Sequence, residues 1–344
     1  MPRSRTNEST SWQRPFQHVQ LREVGRTQGH LWEQTDLPGA ASGGVLVNLG
    51  NTGPLLSGRR QIVVIHDASV FDAPYSYTPQ FRIWYKALQR GLARTGARIV
   101  TVSEFSRNRI STALGLDPGR IEVIYEGADH ICRIAPETAT LKQHGLQPRR
   151  FVLVVGSLAP HKNIAQLREL ALTLERRGLI LAIVGGFDPN VFRDANTPNI
   201  AARKLGRVTD AALRALYENA ACLLFPSRYE GFGLPPVEAM ACDCPVIATA
   251  GGAVEEVCGD AAFYLKADHG PTATAAVERL LDDQGFADQL RLRGRERVAP
   301  LTWQASAQAL GNVLKALLYS EPSRIPWTSY AVRYALRSAS RGVP

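Results

Sequence analysis

The sequence contains few cysteines and no long apolar run, and these shortages argue against whole classes of protein. Five cysteines occur among 344 residues, an odd number without the spacing of a disulfide framework, which indicates a reducing compartment. No apolar stretch approaches the roughly 20 residues that a membrane-spanning helix needs. The polar N-terminus also lacks the apolar core of a secretion signal. We therefore expect a cytoplasmic protein, either soluble or peripheral on the inner face of the plasma membrane.

Patterns that bind metals or nucleic acids are also scarce. Cys242 and Cys244 form a C-x-C pair with no second pair at zinc spacing, so we expect them to pack in the core. No Asp-x-Asp pair lies in a loop where it would hold a metal, and we predict neither a metal site nor a cofactor. The net charge of +9 favours anionic partners such as nucleotide diphosphates or acidic lipid head groups. Because no basic run is interleaved with aromatics, nucleic acid is not an expected partner.

Apolar runs alternate with helical patterns along most of the chain. The predicted strands are 45–49, 61–65, 98–102, 121–125, 151–155, 179–184, 221–225 and 245–249. Helical patterns separate them, the longest at 75–93, and three more cover 272–282, 288–298 and 304–318. A composition that is 45% hydrophobic can fill two cores of ordinary size. The alternation predicts an α/β protein with two doubly wound domains, 1–148 and 149–318, of which 1–30 is poorly patterned, and a basic helical tail at 319–344.

The most informative stretch is 221–250, which reads as strand, glycine loop, helix and strand. Gly231 and Gly233 let the backbone approach a ligand closely, and Pro235 suits the first turn of a helix. A helix N-terminus offers unpaired N–H groups and a positive dipole end, which favour a phosphate. Glu230 and Glu238 bracket this site, and carboxylates accept hydrogen bonds from sugar hydroxyls. The plainer alternative is a Rossmann-like turn in which Glu230 is exposed and Glu238 stabilises the helix start.

The string E-G-F-G-L-P-P-V-E, with F-P-S before it and E-A-M-A-C-D-C-P-V-I across its end, resembles the signature of retaining glycosyltransferases of family 4. The resemblance extends from about residue 31 to about residue 318. It implies the GT-B fold, in which two Rossmann-like domains face each other across a cleft. The segments LWEQ, HDASVFDAPYSYTP and VSEFSRNRI are most similar to bacterial mannosyltransferases of polysaccharide biosynthesis.

The resemblance also implies roles for individual residues. Glu230 would face the donor sugar, Lys162 would neutralise the donor phosphates, and His66 would contact the transferred sugar. The expected donor-binding residues are Glu238 at the ribose hydroxyls, Gly231, Phe232, Gly233 and Leu234 along the diphosphate and sugar, Gly156 and Ser157 in the phosphate loop, and Arg207 and Val208 at the base. By position alone, Lys162 is more readily a solvated surface lysine. His66 is as readily a structural histidine as a functional one.

Together these features predict a metal-independent retaining hexosyltransferase. GDP-mannose is the leading donor and a UDP-hexose the alternative, with a glycan or polyprenyl-linked acceptor in cell-surface polysaccharide or glycolipid biosynthesis. A nucleotide-sugar-binding homologue that is catalytically incomplete and acts as a partner subunit is the second hypothesis. An epimerase on the same fold is the third. A basic aromatic helix at 326–341 either lies on an anionic membrane or packs across the N-terminal domain.

Two departures from the family pattern bear on activity. Ser157 and His161 occupy positions where arginines are frequent in the family, so fewer cations are expected beside the donor phosphates. Residues 1–30 show no strand followed by a glycine pair, a unit with which family members usually open. Either the first βα unit is missing and the N-terminal domain is shortened, or Gly43 and Gly44 have another role.

Overall fold

The computed structural model describes residues 22–193, 200–265 and 270–320, which form two α/β units with parallel sheets. The first sheet has the order β1-β2-β3-β4 and the second has the order β10-β9-β8-β5-β6-β7. The strands are β1 Leu46–Asn48, β2 Gln61–Val64, β3 Arg98–Thr101, β4 Ile121–Val123, β5 Phe151–Val155, β6 Ile180–Val184, β7 Ala202–Gly206, β8 Cys222–Phe225, β9 Val246–Thr249 and β10 Ala262–Leu265.

Helices connect these strands and cover both faces of the sheets. They are α1 Gly29–Ala40, α2 Ser69–Asp72, α3 Pro79–Thr95, α4 Glu104–Leu114, α5 Ala139–Gln143, α6 Arg168–Arg176, α7 Asp210–Asn219, α8 Leu234–Ala241, α9 Gly252–Cys258, α10 Gly270–Asp282, α11 Gln284–Val298 and α12 Trp303–Ser320. Side-chain caps fix several of their starts, because a hydroxyl or carboxylate accepts an otherwise unpaired N–H. Ser103, which the sequence predicts as a helix cap, caps α4, and Thr78, Thr209 and Asp283 cap α3, α7 and α11.

The strand order of the second sheet reverses between β5 and β8, although these two strands are parallel. Its strands wind outward from this pair on both sides, which creates a switch point where ligands of open α/β sheets bind. β5 is buried along most of its length, with alternate residues in two separate cores. The first sheet follows chain order without a reversal. Within the described residues it is therefore one arm of a doubly wound sheet, in line with the shortened domain that the sequence suggests.

The helix α12 joins the two units. Leu310, Val313 and Leu314 pack in the same apolar cluster as Ile62 and Val100 of the first sheet. The other face of that sheet is covered by α3 and α4. The chain reaches α12 beside Gly127, where a Cβ atom would lie 2.2 Å from the backbone nitrogen of Trp303. This cluster contains residues of both sheets, so burial of apolar area between it and α12 helps to hold the two units together.

Two features of the fold differ from the sequence predictions. The pattern at 31–34 predicts a short helix that ends before Pro38. In the structure α1 continues through Pro38, and its last turn includes a bond from the Ala41 N–H to the Leu37 carbonyl. The strands β7 and β10, at the two edges of the second sheet, were not predicted. β7 has the mostly polar sequence ARKLG, and β10 is apolar but only four residues long. The sequence also suggests a short strand at 16–23. Most of that strand, and the helix predicted at 326–341, fall outside the described residues. No helix in the described parts of the chain combines the length and apolarity needed to cross a bilayer.

Candidate active site

The first glutamate of the motif forms an ion pair across the switch point. The carboxylate of Glu230, in the loop after β8, lies 2.5 Å from the ammonium nitrogen of Lys162, in the loop after β5. Their side chains are only 13% and 18% exposed. The Lys162 ammonium also lies 5.8 Å from the ring centre of Phe225. The fold thus places a shielded acid–base pair at the ends of the two strands that flank the switch point.

The glycine loop after Glu230 is held against the first unit. The carbonyl of Gly231 accepts hydrogen bonds from the hydroxyls of Ser103, at 2.6 Å, and Ser106, at 3.0 Å. A Cβ atom on Gly231 would lie 2.3 Å from the carbonyl oxygen of His66. Gly233 has a φ of +95° and immediately precedes α8, so the loop uses glycine for both close approach and backbone conformation.

Three predicted residues of this loop region lie beside the glycines. Phe232 is 3% exposed, with its ring centre 6.1 Å from that of Tyr125, so its side chain belongs to the core. Leu234 is the first residue of α8, and Pro235 and Pro236 follow in its first turn. That the backbone of this segment lines the diphosphate and sugar stays a prediction.

His66 lies just beyond the end of β2, where the sequence places it. Its Nε2 is 2.9 Å from the carbonyl oxygen of Leu49, and its Nδ1 is 3.2 Å from a carboxylate oxygen of Glu126. Burial alone would lower the pKa of His66, but the hydrogen bonds to Glu126 and Leu49 outweigh burial and hold the pKa above its ordinary value. The sequence analysis assigned no role to Glu126, because residues 60 apart meet only in the folded sheet.

Glu238, the second glutamate, is directed into a buried network on α8. One carboxylate oxygen lies 3.0 Å from Nε2 of His130, and the other accepts a hydrogen bond from the hydroxyl of Tyr217 at 2.9 Å. The indole N–H of Trp303 donates to Nδ1 of His130 at 2.9 Å. Glu238 is 6% exposed, and each of its oxygens already has a protein partner. Its role at the ribose hydroxyls stays a prediction.

The remaining predicted donor-binding residues lie in loops after β5 and β7. Gly156 and Ser157 follow β5, and Gly185 packs directly on Gly156 after β6. Arg207 is exposed after β7, with its side chain against Gly186. Val208 is half-buried and packs on the core. These loops all leave the carboxyl end of the second sheet, so the fold gathers the predicted residues at one edge, with Glu238 further along α8.

His161, which the family pattern places beside the donor phosphates, is a buried neighbour of Lys162. Its ring centre lies 5.9 Å from that of Tyr77 and 6.0 Å from that of Phe192. The backbone N–H of His161 donates to the hydroxyl of Ser76. Burial and the charge of Lys162 lower its pKa to about 4, against a smaller opposite effect of Glu230. His161 is therefore neutral at pH 7 and does not replace a cationic arginine beside Lys162.

Burial of neutral His161 predicts a loss of stability in acid. An unfolded histidine binds a proton near pH 6.5, whereas His161 in the folded protein binds one only near pH 4. The unfolded state gains protons between these values, so the free energy of unfolding falls by roughly 2–3 kcal/mol as the pH drops through this window. Urea unfolding at pH 7, 6, 5 and 4 measures this slope. We expect His161→Phe to flatten the slope, and an unchanged slope would contradict the assignment.

Glu256 makes a further contact between the units that the sequence did not reveal. Its carboxylate accepts the N–H groups of Glu104 and Phe105 at the start of α4, both at 2.7 Å. The hydroxyl of Tyr125 donates to the same carboxylate at 2.7 Å. An acidic residue on one unit thus caps a helix of the other. Together with Ser103 and Ser106 on Gly231, this cap holds the motif loop beside His66.

Two facing units with parallel sheets, and a glycine loop with a glutamate–lysine pair where they meet, define the GT-B class of glycosyltransferase. Comparison with known families agrees. The model of "Glycosyl transferases group 1" matches residues 137–297, and the model of "Glycosyltransferase Family 4" matches residues 43–130. The chain belongs to glycosyltransferase family 4, as the sequence motif indicated.

Individual relatives and structures give the same picture. The chain is 31% identical over 271 residues to O-antigen chain mannosyltransferase B of Escherichia coli, covering 75% of this chain and 71% of the relative. It is 26% identical to O-antigen chain mannosyltransferase RfbU of Salmonella typhimurium, covering 69% and 67%. The fold is similar to that of Anabaena HepE in complex with UDP and glucose, with a TM-score of 0.61, 17% identity and coverage of 76% and 75%.

Proposed function

We propose that this family 4 glycosyltransferase transfers a mannosyl group, with retention, from GDP-mannose to a glycan or polyprenyl-linked acceptor in the synthesis of a cell-surface polysaccharide. The observation that carries the proposal is the shielded pair of Glu230 and Lys162 at the switch point, before the N-terminus of α8. The mannosyl group is supported by the two relatives named as O-antigen mannosyltransferases. A nucleotide sugar as donor is supported by the UDP and glucose bound to Anabaena HepE.

The chemistry follows from where charge develops during transfer. Cleavage of the bond between the sugar and the diphosphate builds negative charge on the leaving group and positive charge at the sugar carbon. Lys162 and the N-terminus of α8 stabilise the leaving diphosphate, because fixed positive groups act strongly at a shielded site. The departing phosphate accepts the proton of the acceptor hydroxyl on the same face of the sugar, which retains the anomeric configuration. A positive charge supplied by the protein itself makes the reaction independent of a metal.

The second candidate is a homologue that binds the nucleotide sugar without turnover and acts as a partner subunit. Ser157 and neutral His161 provide no positive charge at two positions next to Lys162. The first sheet also forms one arm without a reversal in the described residues. Both observations favour weaker donor binding, a weaker grip on the acceptor, or both. The two candidates agree on the donor site and differ only in whether transfer occurs.

One experiment separates the candidates. The full chain is incubated with radiolabelled GDP-mannose or UDP-glucose and a bacterial membrane lipid extract, with EDTA in one arm and Mg²⁺ in the other. Mannosyl transfer at equal rates in both arms, with an α-linked product by NMR, supports the proposal. Transfer that requires Mg²⁺ contradicts metal independence, and a β-linked product contradicts retention. Saturable binding of GDP without transfer supports the partner subunit, and conversion of the free nucleotide sugar supports an epimerase.

A lipid-linked acceptor requires that the enzyme approach a membrane, and we propose that the first unit does so. Leu31 on α1 is 60% exposed, and Ile83 and Trp84 on α3 are 71% and 40% exposed. Arg90 and Arg94 are exposed further along α3. His30 connects the two helices, because its ring centre lies 5.4 Å from that of Trp84. Exposed apolar side chains beside basic ones suit the interface of an anionic bilayer.

Replacement of one apolar residue of this patch tests the membrane contact. In the proposed contact the side chain of Trp84 is buried in the bilayer. Loss of a large apolar side chain from such a site costs roughly 1.5–3 kcal/mol, so we expect Trp84→Ser to weaken binding to phosphatidylglycerol vesicles by about tenfold or more. Leu292→Ser is the matched control, because Leu292 is 51% exposed on α11 of the other unit. Co-sedimentation with vesicles measures both variants. Equal binding of Trp84→Ser and the unaltered protein would rule out this surface.

A further inference from the structure

The imidazole of His66 faces two groups that can only accept hydrogen bonds. The carbonyl oxygen of Leu49 lies 2.9 Å from Nε2, and a carboxylate oxygen of Glu126 lies 3.2 Å from Nδ1. A neutral imidazole has one N–H and one unprotonated nitrogen, so it can satisfy only one of these acceptors. The doubly protonated ring satisfies both. The side chain of Glu126 is 15% exposed, which shields its charge from water and strengthens its effect on His66.

The surroundings of His66 contain further groups of the same kind. Asp67 is adjacent in the chain, and its charge also raises the pKa of His66. From α4, the hydroxyl of Ser106 lies 2.9 Å from the carbonyl oxygen of His66 and shares its one proton between this oxygen and that of Gly231. From the other unit, Gly231 packs on that carbonyl, and the neighbouring carboxylate of Glu230 is paired with Lys162. The charged groups named around this ring are thus acidic, apart from Lys162, which is already paired with Glu230.

We infer that Glu126 is a positioning residue that holds His66 as a fixed imidazolium at the edge of the cleft. The two residues follow β2 and β4, which flank β3, and their side chains meet beyond its end. The inference rests on the proposed function for its purpose and on geometry for its content. The carbonyl of His66 packs against Gly231, so this imidazolium places a positive charge beside the glycine loop, while Ser157 is uncharged and His161 is neutral.

A direct test measures the protonation of His66 without any substrate. Long-range ¹H–¹⁵N NMR of the full chain follows the His66 ring through a pH titration, and His66→Gln assigns its signals. An opposite charge within a few ångströms shifts a pKa by roughly 1–3 units, so we expect Glu126→Gln to lower the pKa of His66 by about one unit or more. Glu122→Gln is the matched control, because Glu122 lies on β4 and pairs with Arg98. An unchanged pKa in Glu126→Gln overturns the inference.

The purpose of the charge is tested by the pH dependence of transfer. If the imidazolium is needed, kcat falls as the pH rises through the pKa of His66, and in Glu126→Gln this fall moves to lower pH. Glu126→Asp keeps the negative charge and is expected to restore the alkaline limb in part. If the pKa of His66 falls in Glu126→Gln but the alkaline limb of the kcat profile does not move, the charge of His66 is not used in transfer. That result also overturns the inference. If no transfer occurs at all, the proposed function fails while the NMR result still decides the role of Glu126.

Discussion

Replacement of Glu230 by glutamine is expected to reduce kcat for sugar transfer by about 10²–10³-fold, the range found when one preorganised electrostatic group is removed from an active site. The carboxylate of Glu230 is 2.5 Å from the ammonium of Lys162. Its loss therefore also removes the partner that positions the Lys162 ammonium for the leaving diphosphate. The change keeps the volume of the side chain. Initial rates with GDP-mannose and a lipid extract measure the effect.

A matched control separates the role of this carboxylate from a general effect of charge. Glu218 lies on α7 and pairs with Arg214 at 2.7 Å, away from the switch point. We expect Glu218→Gln to retain the rate of the unaltered protein. We also expect Lys162→Met to lose activity to a similar degree and the double variant to lose little more, because residues that act together are not additive. Full activity of Glu230→Gln would remove the observation on which the proposed function rests.

The largest effect on stability is expected at Gly185. A Cβ atom there would lie 1.8 Å from the carbonyl oxygen of Gly156, and the φ of Gly185 is +142°, where side chains are rarely found. Backbone strain and overpacking each cost roughly 1–3 kcal/mol, so we expect Gly185→Ala to lower the free energy of unfolding by about 3 kcal/mol. Urea unfolding measures it. Because the phosphate loop at Gly156 must move, binding of GDP should weaken as well.

Gly311 offers the opposite case within the same chain. It lies inside α12, and a Cβ atom there would meet nothing within 4 Å. Alanine reduces the conformational freedom of the unfolded chain, so we expect Gly311→Ala to raise stability by about 0.5–1 kcal/mol. If both glycine variants change stability equally, the close packing of the loops after β5 and β6 is not what restricts Gly185.

Much of the second unit could be predicted from the sequence. The strand predicted at 151–155 matches β5 at both ends, and 221–250 folds as the predicted strand, loop, helix and strand. These elements are buried, so the fold requires apolar runs that can be recognised in the sequence. The family assignment rested on the same stretch and is confirmed. The donor, the retention of configuration and the ribose role of Glu238 stay predictions.

The site was harder to predict than the strands around it. The sequence placed Glu230, Lys162 and His66 at strand ends, and the fold brings Glu230 and Lys162 into contact and sets the carbonyl of His66 against Gly231. The sequence did not indicate that Glu126 contacts His66 or that the ring of His161 is buried and neutral. Their importance depends on partners 60 and 84 residues away, Glu126 near His66 and His161 against Tyr77. A single sequence without folded neighbours does not show such pairs.

What the sequence determined by itself was the alternation of buried strands and helices, the glycine motif and the family, because these depend on local composition and spacing. The tertiary structure decided the rest. Edge strands such as β7 formed where a neighbouring strand offered hydrogen bonds. The apolar side chains of α12 pack against a cluster that contains residues of both sheets. The charge states of His66 and His161 were decided by burial and by acceptors contributed from distant segments, which only the folded chain brings together.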